Sequence, residues 1–156
     1  MTGNVMTASY HDIDGKSVLV TGGASGIGAS IVRAFCAQGA HVGFFDIDDG
    51  AAQKLIDEIR DETGRAPVYK SFDLRQQSLI AGAVREMSAA IGPMDVLVNN
   101  AARDDRHSLE SVTSDYFDER IATNLKHQLF AAQAVAGPMA AAGGGSIINM
   151  GSTSWM

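Results

Sequence analysis

Short apolar runs alternate with segments of helical spacing along this chain, and that alternation leaves few folds open. Ser17–Thr21 is apolar and stops at a glycine cluster, as a buried strand entering a tight turn does. Ile27, Ile31, Val32 and Phe35 then recur at helical intervals, and Gly39 ends the segment as a C-cap. The pattern repeats. His41–Phe45 reads as a strand and Ala51–Glu62 as a helix with Leu55, Ile56 and Ile59 on one face; Pro67–Phe72 reads as a strand and Leu79–Ile91 as a helix. Asp95–Val98 is a fourth strand, followed by a polar loop from Arg103 to Thr113. A long helix is expected over Ser114–Met139, its stripe of Phe117, Ile121, Leu125 and Leu129 facing the sheet, and Ser146–Met150 is a fifth strand. Strands alternating with helices need crossover connections, which demand a parallel sheet covered on both faces. The expected fold is an α/β doubly wound parallel sheet, with residues 1–15 a polar arm and residues 16–156 a single domain without repeat or linker.

In such sheets ligands bind beyond the carboxyl ends of the strands. The first of these ends carries Thr21-Gly-Gly-Ala-Ser-Gly-Ile-Gly28, a G-x-x-x-G-x-G spacing that departs from G-x-G-x-x-G but shares its physics. Glycines let the backbone turn sharply and approach a pyrophosphate, which rests against free N–H groups at a helix N-terminus. A structural turn is the plain alternative, but the place between a first strand and a first helix favours the phosphate reading. Asp46 ends the second strand, eighteen residues beyond Gly28. A carboxylate there can accept hydrogen bonds from an adenosine ribose and repels a 2′-phosphate, so NAD is expected ahead of NADP. Capping of the next helix is the other use for such an Asp, and Asp48 or Asp49 serve that equally.

These motifs, with Asp73-Leu74 after the third strand, Asn99-Asn-Ala-Ala102 after the fourth, Asn124-Leu125 in the long helix and Ser152 past the fifth strand, resemble those of the short-chain dehydrogenase/reductase family. The resemblance runs from Lys16 onward and implies a Rossmann-like fold. It implies cofactor contacts at Gly22, Ser25, Gly26, Ile27 and Gly28, an adenine edge held by Asp73 and the Leu74 backbone, and Asn100 and Ala101 along the ribose and nicotinamide side. Asn99 either fixes backbone or touches ligand. Asn124 would hold a water linking the catalytic groups, and Ser152 would hydrogen-bond the substrate oxygen.

The family's general acid/base is a tyrosine followed four residues later by a lysine. Here the residues four beyond Tyr10, Tyr69 and Tyr116 are Asp14, Asp73 and Arg120. Tyr116 and Arg120 are read as packing and surface charge. The expectation is therefore a sheet truncated after its fifth strand, inactive alone. Its last strand would be an open edge, and one apolar helix face would lack cover.

The stretches 99–107, 124–127 and 146–152 resemble bacterial sugar 1-dehydrogenases within the family, which implies an alcohol or carbonyl substrate of aldose type. Ketoacyl-carrier-protein reductases share the same motifs and stay open, as does a nucleotide-binding module without chemistry. His107 and His127 are expected as surface or helix residues rather than acid/base groups.

Composition narrows the partners. The chain has 156 residues, 46% hydrophobic and 19% charged, with a net charge of −6 and no basic stripe, so nucleic acid is not expected. The most apolar stretch, residues 130–142, is mainly alanine and broken by Gln133, Gly137 and Pro138, so no membrane span is expected. The single cysteine, Cys36, offers neither disulfide nor metal spacing and is expected buried in the first helix. The remaining expectations are a cytoplasmic protein, further copies of the chain as partners, and no metal.

Overall fold

A computed structural model describes residues 8–151. It contains five strands, β1 (Ser17–Thr21), β2 (His41–Asp46), β3 (Val68–Ser71), β4 (Val96–Asn99) and β5 (Ser146–Asn149). Between them run α1 (Gly26–Ala37), α2 (Asp49–Thr63), α3 (Gln77–Ile91), α4 (Ser114–Ile121) and α5 (His127–Ala141). All pairings are parallel and the strand order is β3-β2-β1-β4-β5. The chain thus winds outward from β1 to β3, returns, and winds the other way, placing a topological switch point between β1 and β4. This is the expected Rossmann-like arrangement.

Strand alternation builds the two halves of the core. Successive side chains leave a strand on opposite faces. Val18, Val20, Phe44 and Val98 therefore pack with Val32 of α1 and with Leu55 and Ile59 of α2. Leu19, Phe45 and Leu97 pack on the other face with Ile80, Val84 and Met87 of α3 and Ala131 and Val135 of α5. Because β1 is central and covered on both faces, all five of its residues are buried. Asp95 locks its start to β4: its carboxylate accepts from Ser17 N at 2.9 Å and Lys16 Nζ at 3.0 Å.

Helix ends follow local chemistry. Asp48 caps α2 by accepting from Ala51 N at 2.9 Å, and Gly64, at φ +75°, closes its other end by donating to the Arg60 carbonyl at 2.8 Å. Gln38 is the C-cap of α1, with Gly39 one residue beyond. Cys36 is half-buried, and burial pushes its thiol up to about 11.

Cys36 is thus less buried than expected, and the long helix departs from expectation in its orientation. The Phe117–Leu129 stripe does not face the sheet: Phe117, Leu125 and Leu129 are 57%, 58% and 67% exposed. The buried set is His127, Ala131, Val135 and Met139. The two sets are offset by two residues, about 200° around an α-helix, so they occupy opposite sides. Both sets recur every four residues. The inner one mixes His127 and Met139 with Ala131 and Val135 and packs against α3 and β4. Between α4 and α5 the helix widens into a π turn, Ala122–Lys126. His127 is also the more buried of the two histidines, with no accessible surface, whereas His107 is exposed. Strand β5 forms the sheet edge, with Ile147 and Ile148 39% and 43% exposed. No described helix is long and apolar enough to cross a membrane.

Candidate functional site

A cleft of about 520 Å³ opens at the carboxyl ends of β1, β2 and β4, at the switch point. Its walls are the glycine turn, Asp46–Ile47, residues 72–75, residues 100–103, and Glu119 and Thr123. Of the residues singled out in the sequence, Gly22, Ser25, Ile27, Gly28, Asp46, Asp73, Leu74, Asn100 and Ala101 meet there. Gly26 supports the turn at φ +55° without lining the cleft, and Ser152 lies outside the described residues.

The turn is set by close approach. Gly22 has φ +67°, and a Cβ on it would sit 2.7 Å from the Ala101 Cα. A Cβ on Gly28 would run into the Gly22 carbonyl oxygen and come within 2.6 Å of Asn100 Nδ2. Asn100 holds this geometry by donating from Nδ2 to the carbonyls of Gly22 (2.9 Å) and Thr21 (3.2 Å). Its neighbour Asn99, fully buried, donates to Asn149 Oδ1 at 2.8 Å and the Gln128 carbonyl at 3.3 Å, fixing backbone at the strand ends.

The N-terminus of α1 differs from those of α2 and α4. Asp48 and Thr113 cap the latter two with side-chain oxygens, and each first turn carries an acid. Ser25 makes no such bond to α1, and no acid stands in its first turn. The start of α3 is bare in the same way. What sets α1 apart is that Ser25 and Ile27 line the cleft, so its leading N–H groups and the positive end of its dipole lie beside it.

Asp46 is fixed by three backbone N–H donors: Ala24 to Oδ2 at 2.9 Å, and Ile47 and Asp48 to Oδ1 at 2.8 and 3.2 Å. A carboxylate offers about four lone-pair sites, so capacity remains on Oδ2. Asp73 is already paired. Arg75 binds it through Nε (3.0 Å) and Nη2 (2.7 Å), and these hydrogen bonds hold its carboxyl below the usual carboxylate range. Arg75 and Arg103 also share Glu119 Oε1 at 3.3 and 3.2 Å. Both cations lining the cleft are thus bound to acids. The Asp73–Arg75 pair had a local signal, two opposite charges two residues apart; Glu119, reached from another helix, had none.

Asn124 sits in the π turn and grips the Arg103 peptide from both sides. Its Oδ1 accepts from Arg103 N at 2.8 Å and its Nδ2 donates to Arg103 O at 3.1 Å. It therefore ties the long helix to the loop that continues β4. In that loop His107 Nδ1 lies 2.8 Å from Tyr116 Oη, and the Arg120 guanidinium stacks 4.6 Å over the Tyr116 ring while bonding Asp105 at 2.8 Å. Tyr116 packs here as expected, but Arg120 is not a surface charge: its side chain is only 13% exposed, drawn in over the Tyr116 ring and against Asp105. Among the described residues no group of three or more His, Cys, Asp or Glu is placed to hold a metal ion.

The sequence profile of the short chain dehydrogenase family matches residues 16–155. The chain is 45% identical over 150 residues to a probable galactose dehydrogenase of Rhizobium meliloti (strain 1021), covering 96% of this chain and 59% of that protein. It is 48% identical over 149 residues to D-xylose 1-dehydrogenase of Caulobacter vibrioides (strain NA1000 / CB15N), covering 96% of this chain and 58% of the relative. A metagenomic short-chain oxidoreductase solved in complex with NADP superposes with a TM-score of 0.84 at 34% identity, over 91% of this chain and 64% of that one. The chain spans less than two thirds of the length of each of these.

Proposed function

The chain belongs to the short-chain dehydrogenase family, and we propose that its cleft binds NAD(H) in preference to NADP(H), as part of an oxidoreductase acting on an alcohol or carbonyl of aldose-sugar class. The observation that carries the cofactor reading is the carboxylate of Asp46 on the cleft wall, with both lining arginines bound to Asp73 and Glu119. A 2′-phosphate beside Asp46 would meet a like charge and, among the described residues lining the cleft, no free cation. At about 5 Å and an effective dielectric of roughly 20–80, each unit of charge costs about 1–3 kcal/mol, or roughly 5- to 150-fold in affinity.

The residues present fit such a cofactor. The Gly22–Gly28 cradle is a space that a Cβ at Gly28 would fill, and the uncapped start of α1 suits a pyrophosphate. Asp46 would take the adenosine ribose through Oδ2. Leu74, with Asp73 held in its Arg75 pair, would face the adenine, and Asn100 and Ala101 would line the nicotinamide side. When bound, the nicotinamide accepts a hydride from an alcohol carbon or returns it to a carbonyl. Asn124, bonded at both ends of its amide to Arg103, positions the loop over that side. Ser152 would donate to the substrate oxygen. No Tyr-x-x-x-Lys occurs in these 156 residues, so none of them is assigned the proton transfer and turnover by this chain alone is not expected.

The sugar class rests on the two relatives named for galactose and D-xylose and on the hydrogen-bonding density of residues 103–107. Self-association through the outward Phe117–Leu129 stripe and a cytoplasmic location complete the proposal. The test is cofactor preference. Asp46→Asn keeps an acceptor for Ala24 N and removes the charge, and Asp46→Ala removes both. Both should lower the NADPH-to-NADH ratio of dissociation constants by about tenfold, within the range of that repulsion. Equal loss for the two cofactors would contradict the assignment.

A further inference from the structure

His127, at the start of α5, is a fully buried imidazole that reaches the end of β1. Its Nε2 lies 3.4 Å from Thr21 Oγ1, at the long end for such a contact. Thr21 is itself fully buried, and its hydroxyl oxygen accepts from two backbone donors of the opposite wall, Asn100 N at 3.0 Å and Ala101 N at 3.1 Å. A hydroxyl has two acceptor sites and one proton. With both acceptor sites taken, the proton has to leave in another direction, and His127 Nε2 is the acceptor in reach.

That assignment fixes the imidazole. Nε2 must be unprotonated, so the ring is neutral and carries its proton on Nδ1. Nδ1 is buried without a hydrogen-bond partner, and the carbonyl of Thr123, one turn earlier, is the group that favours a proton there. Burial, which lowers the imidazole below its ordinary value of 6.5, outweighs the Thr123 carbonyl, which raises it, and no charged side chain contributes. The π turn and the first residue of α5 act on the cleft through three groups: Thr123 lines it, Asn124 grips Arg103, and His127 reaches Thr21. π turns of this kind recur at functional sites.

We infer that His127 is a positioning residue. As hydrogen-bond acceptor it orients the Thr21 hydroxyl, which holds the Asn100–Ala101 backbone at the spacing the nicotinamide half of the cofactor requires. This rests on the proposed NAD(H) site. The consequence is local. Ala101 already stands so close to Gly22 that a Cβ there would not fit, so a hydroxyl turned the wrong way releases one wall of the cleft against the other. The Asp46 end is held by its own bonds to Ala24, Ile47 and Asp48 and does not depend on Thr21.

Two ligands separate these halves: NADH, and ADP-ribose, which lacks only the nicotinamide. Dissociation constants are measured by titration calorimetry on the whole protein and on His127→Leu, His127→Gln and Thr21→Val. His127→Leu is expected to weaken NADH about tenfold and ADP-ribose less than twofold, the scale of one lost hydrogen bond. His127→Gln, which supplies an amide oxygen as acceptor, should restore most of the loss. Combining Thr21→Val with His127→Leu should be no worse than Thr21→Val alone. Equal weakening of both ligands, failure of glutamine to rescue, or additive losses would overturn the inference. If His127→Leu does not fold, His127→Gln and Thr21→Val decide it: parental NADH binding in the first with selective NADH loss in the second supports the inference, and any other pattern overturns it. If the unaltered protein binds neither ligand, the proposed function fails and this inference with it. If it binds both and His127→Leu changes nothing, only the inference fails.

Discussion

Adding one methyl group at two glycines should move stability in opposite directions. At Gly28 a Cβ overlaps the Gly22 carbonyl oxygen and presses on Asn100 Nδ2, which donates to that same carbonyl at 2.9 Å. The obstacle is backbone, not the end of a flexible side chain, so the turn has to move. Overpacking of this kind costs about 1–3 kcal/mol. Loss of the Asn100 bond adds about 0.5–1.5 kcal/mol. Gly28→Ala is therefore expected to destabilise by about 2–4 kcal/mol, a fall in Tm of roughly 5–15 °C for a domain of this size. Gly82, inside α3, faces the other situation: an added Cβ meets only Arg85 Nη2 at 3.8 Å. There the substitution removes the backbone-entropy penalty of a helical glycine and should stabilise by about 0.5–1 kcal/mol. Urea unfolding followed by far-ultraviolet circular dichroism, with m-values compared, measures both. Gly28→Ala should also abolish detectable NADH binding at concentrations that saturate the parent. A Gly28→Ala stability within about 0.5 kcal/mol of the parent, or shifts of the same sign at the two sites, would show that the Gly22 carbonyl does not bar a Cβ at Gly28.

Two titratable groups give further tests. His127 has a folded-state pKa below its ordinary 6.5, so in that window the unfolded chain holds more protons and stability rises with pH. The contribution is complete above pH 6.5 and is lost as pH falls from there to the folded value; His127→Gln should flatten this part of the urea-midpoint profile between about pH 5 and 7, and parallel profiles would contradict it. Cys36, with its thiol pushed up from 9.0 to about 11, should alkylate with iodoacetamide at pH 8 about 100-fold more slowly than a free thiol. Comparable rates would show that its burial is overstated.

What could be read in the sequence was whatever depends on neighbours along the chain. Ser17–Thr21 and His41–Phe45 declare themselves because strands covered on both faces are apolar without a break, and the following glycine cluster or Asp46 marks where they stop. The glycine turn was legible for the same reason: its strand, turn and helix are contiguous. The orientation of the long helix was not. Phe117–Leu129 and His127–Met139 carry the same spacing, and hydrophobicity favours the stripe that lies outside, because the inner one holds a histidine and an alanine where the outer holds only Phe, Ile and Leu. The partnership of Thr21 with Asn100, Ala101 and His127 joins β1, β4 and α5 across about a hundred residues and leaves no local trace. The same holds for Glu119 between Arg75 and Arg103. For Asn124 the sequence singled out the residue, but its bonds to Arg103 depend on a π turn that periodicity does not reveal.

If the cleft at the ends of β1, β2 and β4 takes NAD(H), the backbone lining it must respond to the cofactor. Amide chemical-shift mapping of the isotopically labelled protein during titration with NADH tests it most directly, because it reports binding and place together. Saturable shifts are expected at Gly22–Gly28, Asp46–Ile47, Asp73–Leu74 and Asn100–Ala101 alone, with residues around Tyr10 and Gln38, at the C-terminal end of α1, unmoved. Shifts centred on that second region, or none at millimolar NADH, would contradict it.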